Sequence, residues 1–368
     1  MKNITMAALY VALGLVAFKS AQAVEKGPLL ISEVPSGQVY SDSDITALKN
    51  QDIEDYKGSS SNSLTKDYLL YAKVKATAVS NLTDAELSFL NQASEHKATA
   101  FQRHPEGPIA VPVFDVASLA KHKLFMADVN RQYKKLLPLL HSDPASFAEM
   151  STETPAHTQA AKQLLERTAS EKNGAVSSGA ITSTVTNLLV DNYRNSDSQS
   201  SLVLLKALVE TTHNYTAAEA VLTSKHKSPL KHQLLESLDG YFSDSEQEAL
   251  LKQLITDKSE LASQALIKYG QLPVSTLDAD ILYRTLSDPK LGASSALSIA
   301  RLFESSPDYA QVMEHLKANQ KSRVATANSL LVLKLTNSAG SKAALQDILN
   351  KDYIQFEDMK VEVSSWLN

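Results

Sequence analysis

The chain has 368 residues, a formal net charge of −5, no cysteine and 6% aromatic residues. The lack of cysteine excludes disulfides, thiolate metal sites and a lipid-modified cysteine. The mildly acidic balance argues against a dedicated nucleic-acid binder, which would carry a basic face. The scarcity of aromatic side chains argues against a carbohydrate-binding module.

Residues 1–23 have the pattern of a secretory signal peptide. Lys2 supplies a positive start, residues 4–18 form a nearly continuous apolar run, and residues 21–23 read A-x-A, a cleavage site. The run is shorter than the roughly 20 residues of a transmembrane helix, although an uncleaved membrane anchor is the alternative interpretation. We therefore expect a periplasmic or secreted protein, cleaved after Ala23, with no later membrane span.

Two segments of different character follow the predicted cleavage site. Residues 24–63 are rich in proline, glycine and serine, which predicts an irregular lead-in with one short helix near residues 44–55. Residues 64–118 combine strand-like and helix-like patterns. We interpret them as a small α+β unit.

Within this α+β unit, three local patterns predict secondary structure. Apolar and polar residues alternate over 68–79, which predicts a strand. Thr83 is followed three residues later by Glu86, the spacing of a capping box at the start of a helix. Residues 101–116 predict a turn followed by a β-strand, and Pro112 limits that strand to a sheet edge.

Strand signals end near residue 118, and residues 119–197 predict a helical segment. Helical periodicity is present over 120–140, 155–170 and 181–195. Residues 171–180, EKNGAVSSGA, predict a flexible connection between the last two helices.

From residue 198 onward, the chain repeats a helical pattern with spacings of 30, 31, 31 and 33 residues. The anchor positions of the five copies are Ser200, Leu230, Leu261, Gly292 and Ala325. Small or apolar residues recur four, five and eight positions after each anchor, and these offsets fall on one helical face. A second set of helices is predicted between the first, over residues 216–224, 245–256, 277–287, 309–318 and 342–350. Breaks rich in Asp, Ser and Pro separate the two sets, as expected for helix caps and turns.

A helix pair of about 30 residues cannot bury its own apolar face, so each copy must stack on its neighbours. This pattern resembles the short variety of HEAT-like repeats over residues 198–350, on the basis of spacing and residue class. The resemblance implies a right-handed α-solenoid over residues 198–368. The predicted fold class is therefore mainly α, an α-solenoid of HEAT-like helix pairs with a small N-terminal α+β unit.

The sequence offers few candidates for chemistry, and we predict no catalytic residue, no metal site and no cofactor. No histidine pair has the H-E-x-x-H spacing, and no glycine-rich nucleotide loop is present. His226 and His232 flank a turn with three lysines, including Lys231, which is either an anion-binding corner or a solvated turn. His104 and Glu106 lie on a predicted tight turn and form either a catalytic pair or an exposed loop.

One polar position recurs three residues after the four later anchors, at Gln233, Gln264, Ser295 and Asn328. Such a ladder would suit an extended partner, since solenoids bind through repeated surfaces, or it would form hydrogen bonds between helices. We therefore expect an exported, non-enzymatic scaffold that holds a protein or peptide partner, with no nucleic acid bound. The alternative hypothesis is a hydrolase-like or inhibitor-like activity in residues 64–118, with the solenoid as a support.

Overall fold

A computed structural model describes residues 28–50, 62–170, 178–196 and 198–367. The predicted signal peptide lies outside these residues, as does most of the predicted connection over 171–180. The chain divides into two compact units, residues 1–127 and residues 128–368. The described residues are mainly helical, with a single small sheet.

The first unit consists of short helices and a β-hairpin. Its elements are α1 (Asp42–Lys49), α2 (Ser63–Ala76), α3 (Asp84–Ser94), β1 (Phe101–Arg103), β2 (Ala110–Pro112) and the start of α4 (Val116–Ser142). The strands pair antiparallel, with Phe101 opposite Pro112. The described part of the irregular lead-in contains α1, the short helix predicted near its end, and two single-turn 3-10 helices.

The strand predicted over residues 68–79 is wrong, because these residues belong mainly to α2. The alternating alanines do not form a buried face, whereas residues spaced three apart do meet a common partner. The rings of Tyr68 and Tyr71 lie 5.2 and 5.5 Å from the ring of Phe114, centroid to centroid, and Val74 is fully buried. Alanine, leucine and lysine favour helices, so the alternation here is a coincidence of composition.

Two other predictions in this unit are confirmed. The Thr83 hydroxyl accepts the backbone N–H of Glu86, and the Glu86 carboxylate accepts the backbone N–H of Thr83 at 2.9 Å, which forms the capping box of α3. Pro112 ends β2 in a two-stranded sheet, where both strands are edges. A proline, which has no N–H to donate, is tolerated at such a position.

The second unit contains the remainder of α4 and fourteen further helices of the described chain. They are α5 (Pro144–Met150), α6 (Pro155–Ser170), α7 (Ser178–Ser196), α8 (Gln199–Thr212), α9 (Tyr215–Thr223), α10 (Pro229–Glu236), α11 (Asp244–Thr256), α12 (Ala262–Tyr269), α13 (Ala279–Thr285), α14 (Gly292–Leu302), α15 (Tyr309–Ala318), α16 (Arg323–Thr336), α17 (Ala339–Asn350) and α18 (Glu357–Leu367). Every helix predicted from residue 120 onward has a counterpart here, within a few residues at each end.

The recurring small and apolar positions of the repeat form the core of the second unit. Of the fifteen residues at offsets four, five and eight from the anchors, all are buried except Leu297, which is half-buried. Helix α12 packs on α14, and α14 packs on α16. These are the helices that follow the anchor positions, so equivalent helices of consecutive copies are in contact. Each copy therefore buries its apolar stripe against its neighbours, as the period of about 31 residues requires.

One close approach between α12 and α14 depends on a glycine. The hydroxyl of the fully buried Ser298 donates to the backbone carbonyl of Leu266 at 2.7 Å. Gly270 ends α12 beside it, and a Cβ atom at this position would lie 2.5 Å from the Cβ atom of Ser298. The glycine is needed here because any side chain would push the two helices apart.

Candidate functional site

The four residues predicted to form a partner-binding ladder have different surroundings. Gln233 and Gln264 are exposed. The Oε1 atom of Gln264 lies 2.6 Å from Nδ1 of His232, which belongs to α10 in the preceding copy. Ser295 is fully buried, and its hydroxyl donates to the backbone carbonyl of Leu282. A partner on the surface cannot reach Ser295.

Asn328, the fourth member, also makes an internal contact. Its amide Nδ2 donates to the backbone carbonyl of Leu286 at 2.8 Å. A Cβ atom at Gly292 would lie 2.0 Å from this nitrogen, so the glycine leaves room for the amide. The predicted ladder is therefore not one continuous exposed row, because burial and inter-helix hydrogen bonds occupy part of it.

The lysine-rich turn before α10 is not simply solvated. Lys231 is fully buried, and its ammonium group donates to the backbone carbonyl of Ser224 at 2.7 Å and to the carboxylate of Glu260 at 3.0 Å. The interpretation of this segment as a solvated turn therefore fails for Lys231, which lies inside α10, whereas Lys225 and Lys227 are exposed. The donors of Lys231 are used inside the protein, so it does not contribute to an anion-binding corner.

The turn that carries His104 and Glu106 lies between β1 and β2. The backbone N–H of Glu106 donates to Nδ1 of His104 at 3.2 Å. Among the described residues, no hydrogen bond joins the side chains of this pair. The structure therefore shows a backbone contact within the turn and no side-chain pairing of His104 with Glu106.

A cavity of about 520 Å³ lies between α13 and α15 in the second unit. Its lining residues are polar or charged, namely Asp278, Asp280, Tyr283, Arg284, Ser287, His315 and Asn319. Helix α13 has only seven residues, so it leaves part of the longer α15 uncovered. Such a lining offers hydrogen bonds and charges to a polar group and little apolar surface.

The rim of this cavity is fixed by a tyrosine of the repeat. The hydroxyl of Tyr269 accepts the backbone N–H of Asp278 at 3.0 Å and donates to the carboxylate of Glu248 at 3.2 Å. Burial raises the pKa of Tyr269 to about 12, so it stays a neutral phenol. Asp278 in turn caps the start of α13 by accepting the backbone N–H of Asp280.

Tyr283 provides an unused hydrogen-bonding group at the cavity. The residue as a whole is 5% exposed, and its hydroxyl, which has no hydrogen-bond partner in the described part of the chain, is not among the buried unpaired atoms and remains accessible to water from the cavity. Burial, together with the nearby carboxylate of Asp308, raises the pKa of Tyr283. The group therefore stays a neutral phenol, and its O–H can donate to water or to a ligand in the cavity.

His315 lies between two serines at the base of the cavity. Its Nε2 atom is 3.2 Å from the hydroxyl of Ser287, and its Nδ1 atom is 3.0 Å from the hydroxyl of Ser329. Burial lowers the pKa of His315, so the ring is neutral at pH 7. A neutral imidazole has one donor and one acceptor nitrogen.

The fully buried Ser329 determines which nitrogen of His315 carries the proton. Its hydroxyl has no other acceptor among the described residues, so it donates to Nδ1. The proton then resides on Nε2, which donates to the oxygen of Ser287. In this tautomer Nε2 is a donor to Ser287, and the Ser287 O–H can donate into the cavity.

Charges of both signs line the same cavity. Asp278 is paired with Lys252 at 3.2 Å, whereas Asp280 receives only a long hydrogen bond of 3.5 Å from Gln311. Arg284 is exposed and donates through Nε to the backbone carbonyl of Asp280 at 3.3 Å. It forms no ion pair with any described residue, so its terminal nitrogens are available to a carboxylate or carbonyl oxygen.

The described residues contain neither a metal-ligand cluster nor a membrane-spanning helix. No group of three or more His, Asp or Glu side chains there could hold a metal ion. None of the helices in that part of the chain is both long and apolar enough to cross a membrane. The chain matches no family model, no curated protein and no solved structure in the three comparisons.

Proposed function

We propose that the chain is an exported, non-enzymatic scaffold that holds a protein or peptide partner. The helix pairs of the second unit form an α-solenoid of HEAT-like type, and the partner binds where α13 and α15 leave a polar cavity. The observation that supports this proposal is the polar cavity itself, where the Tyr283 hydroxyl and the terminal nitrogens of Arg284 have no partner among the described residues. A ligand oxygen supplies the acceptor that the described protein does not.

Binding is favoured over catalysis by the state of His315. Its Nδ1 atom is engaged by Ser329, and its protonated Nε2 atom donates to Ser287, so no base faces a nucleophile. What remains is a set of fixed donors, the hydroxyls of Tyr283 and Ser287 and the guanidinium of Arg284. Fixed donors on rigid helices confer specificity on a bound polar group without any reaction.

The partner's contribution follows from these donors and from the unpaired acid. A backbone carbonyl or carboxylate oxygen of the partner accepts from Tyr283 and Arg284, and a partner N–H group donates to Asp280. Such a mixture of acceptors and donors is present in any extended peptide. Of the predicted ladder, Gln233 and Gln264 remain exposed positions that a longer partner would contact.

Site-specific photocrosslinking tests this proposal. A photoreactive amino acid replaces Arg284 in the mature chain, and a matched protein carries it at Arg194, an exposed arginine in the last turn of α7. Both are irradiated with cell-envelope and secreted extract, and crosslinked chains are identified by mass spectrometry. We expect a partner captured at position 284 and not at 194. Identical captures at the two positions would overturn the proposal.

Competition with unlabelled protein then tests the cavity itself. Excess wild-type chain should suppress the crosslink at position 284, whereas the Tyr283→Phe variant should compete about three- to tenfold less well, since it lacks one hydrogen bond. The variant keeps the ring and its packing. Equal competition by both proteins would show that the Tyr283 hydroxyl does not contact the partner, against the proposal.

A further inference from the structure

A second cavity of the second unit contains an arginine with no acceptor. Arg301 lies in the last turn of α14, and its Nη1 atom is buried without a hydrogen-bond partner. No carboxylate of the described residues lies within ion-pair distance of it. A guanidinium is always charged and has five donors, and leaving such a donor both buried and unpaired is costly and rare.

The space beside Arg301 is large enough for a small ligand. A cavity of about 340 Å³ lies between the end of α14 and the turn that follows α12. One side of it is apolar, formed by Leu272, Leu302 and Val274, and Val274 is 49% exposed. Gly270, which ends α12, also lines this cavity. The cavity thus combines a cation with an exposed aliphatic surface.

Glu304 is the carboxylate that lines this cavity, and it does not neutralise the arginine. It is exposed and forms no ion pair with Arg301. Its charge is therefore hydrated, and it would repel a second carboxylate brought into the cavity. Removing the charge of Glu304 should strengthen the binding of any anion at Arg301.

We propose that this cavity binds a carboxylate group that stands next to a small apolar group. Because its Nη1 atom is closed to solvent in the unliganded chain, the guanidinium of Arg301 turns toward the cavity to donate to the carboxylate, and the apolar group packs on Leu272 and Val274. A free chain terminus ending in an aliphatic residue has this chemistry, and so does an acidic side chain of an internal segment. The site does not include any residue of the cavity between α13 and α15.

The binding can be measured directly on the full mature chain by NMR, through the Nε–Hε resonances of arginine. The probes are N-acetylvaline, which represents a chain terminus, and N-acetylglutamic acid α-amide, which represents an acidic side chain. Their controls are N-acetylvalinamide and N-acetylglutamine amide, which lack the carboxylate. The Arg301→Met variant assigns the Arg301 resonance by its disappearance.

We expect a saturable shift of the Arg301 resonance with at least one carboxylate probe, and binding at least about tenfold weaker for its amide control. Glu304→Gln should tighten binding several-fold. Arg194→Met, a matched loss of one exposed arginine, should leave the titration unchanged. Saturation by only one of the two carboxylate probes supports the proposal and identifies the source of the group.

Three results would overturn the proposal: no saturable shift with either carboxylate, equal binding of the amide control, or no tightening in Glu304→Gln. If Arg301→Met does not fold, Arg301→Lys retains the charge without the planar fork and should bind about tenfold more weakly. The titration uses purified protein and defined probes. A failure of the crosslinking experiment at position 284 would therefore leave the titration result unaffected. A failure of the titration would likewise leave the crosslinking result unaffected.

Discussion

The ammonium group of Lys231, fully buried, lies 3.0 Å from the carboxylate of Glu260, which is 31% exposed. The two residues are 29 positions apart, and Glu260 directly precedes Leu261, the anchor of the next copy. The pair is asymmetric, because water reaches only the acid. Because of this asymmetry, replacing the acid and replacing the lysine should change the free energy of unfolding by different amounts.

We expect Glu260→Ala to destabilise the protein more than Lys231→Met. The first change leaves a buried ammonium group without its counter-charge, which costs about 3 kcal/mol or more. The second leaves a carboxylate that water can hydrate and fills the space with a side chain of similar length, so about 1 kcal/mol is expected. The free energy of unfolding in urea measures both. The opposite order would show that Lys231 contributes mainly through its own packing.

Gly270→Ala should destabilise the contact between α12 and α14. The added Cβ atom would lie 2.5 Å from the Cβ atom and 2.8 Å from the Cα atom of Ser298, so backbone must move. Overpacking of this kind costs about 1–3 kcal/mol. Gly240→Ala is the matched control, since a Cβ atom there meets nothing within 4 Å. Equal thermal stability of the two variants would contradict the proposed close approach.

Asp67→Ala should unfold or strongly destabilise the first unit. The buried Asp67 carboxylate accepts the backbone N–H groups of Thr99 and Ala100 at 2.8 and 3.0 Å, and Nε2 of His96 lies 2.8 Å from it. Its loss leaves buried donors unpaired, at about 3 kcal/mol or more. Lys66→Ala, an exposed change on the same helix, should have little effect. Urea unfolding of both variants checks the difference.

Stability should fall as the pH drops through the range in which His315 is neutral when folded but protonated when unfolded. Burial lowers the pKa of His315 below the ordinary value of 6.5. The unfolded chain therefore binds the proton more readily, and the contribution of this residue is fully present above pH 6.5 and lost as the pH falls toward the folded pKa. The groups that face the ring are Ser287, Ser329 and the cavity charges Asp280 and Arg284.

The measurement is the difference in unfolding free energy between wild type and His315→Asn, followed from pH 8 to pH 5. We expect wild type to lose stability faster than the variant as the pH falls below 6.5. Parallel curves would mean that His315 takes up a proton equally well in both states. His122→Asn serves as a control, because this histidine is exposed on α4, and the variant should follow the wild-type curve.

The helical part of the fold could be predicted because its signal repeats. Any one stretch such as Leu234, Leu235 and Leu238 is ambiguous, but five copies at nearly the same spacing are not. The α2 segment carries no repeat, and its alanines and lysines alternate without forming a buried face. In this segment the helix is stabilised by the packing of Tyr68 and Tyr71 on Phe114, which is 43 or more positions away. A contact at that separation cannot be read from the local periodicity of the sequence.

The polar positions were harder to interpret from sequence for a physical reason. A serine that binds a partner and a serine that binds a neighbouring backbone carbonyl look alike until burial is known, as Ser295 illustrates. The cavity between α13 and α15 depends on the shortness of α13 and on His315 meeting Ser287, 28 positions earlier. The period of about 31 residues was the available signal, since it places residues one copy apart side by side.

The polar contacts between consecutive copies differ from one junction to the next. One junction joins Lys231 to Glu260, and a later one joins the hydroxyls of Ser263 and Ser294. A misfolded stack shifted by one copy of 31 residues would set the buried ammonium of Lys231 against Leu291 instead of Glu260. Polar contacts that differ between junctions therefore destabilise a stack in which one copy packs against the wrong copy. They favour the native order of copies, although the apolar stripes are similar.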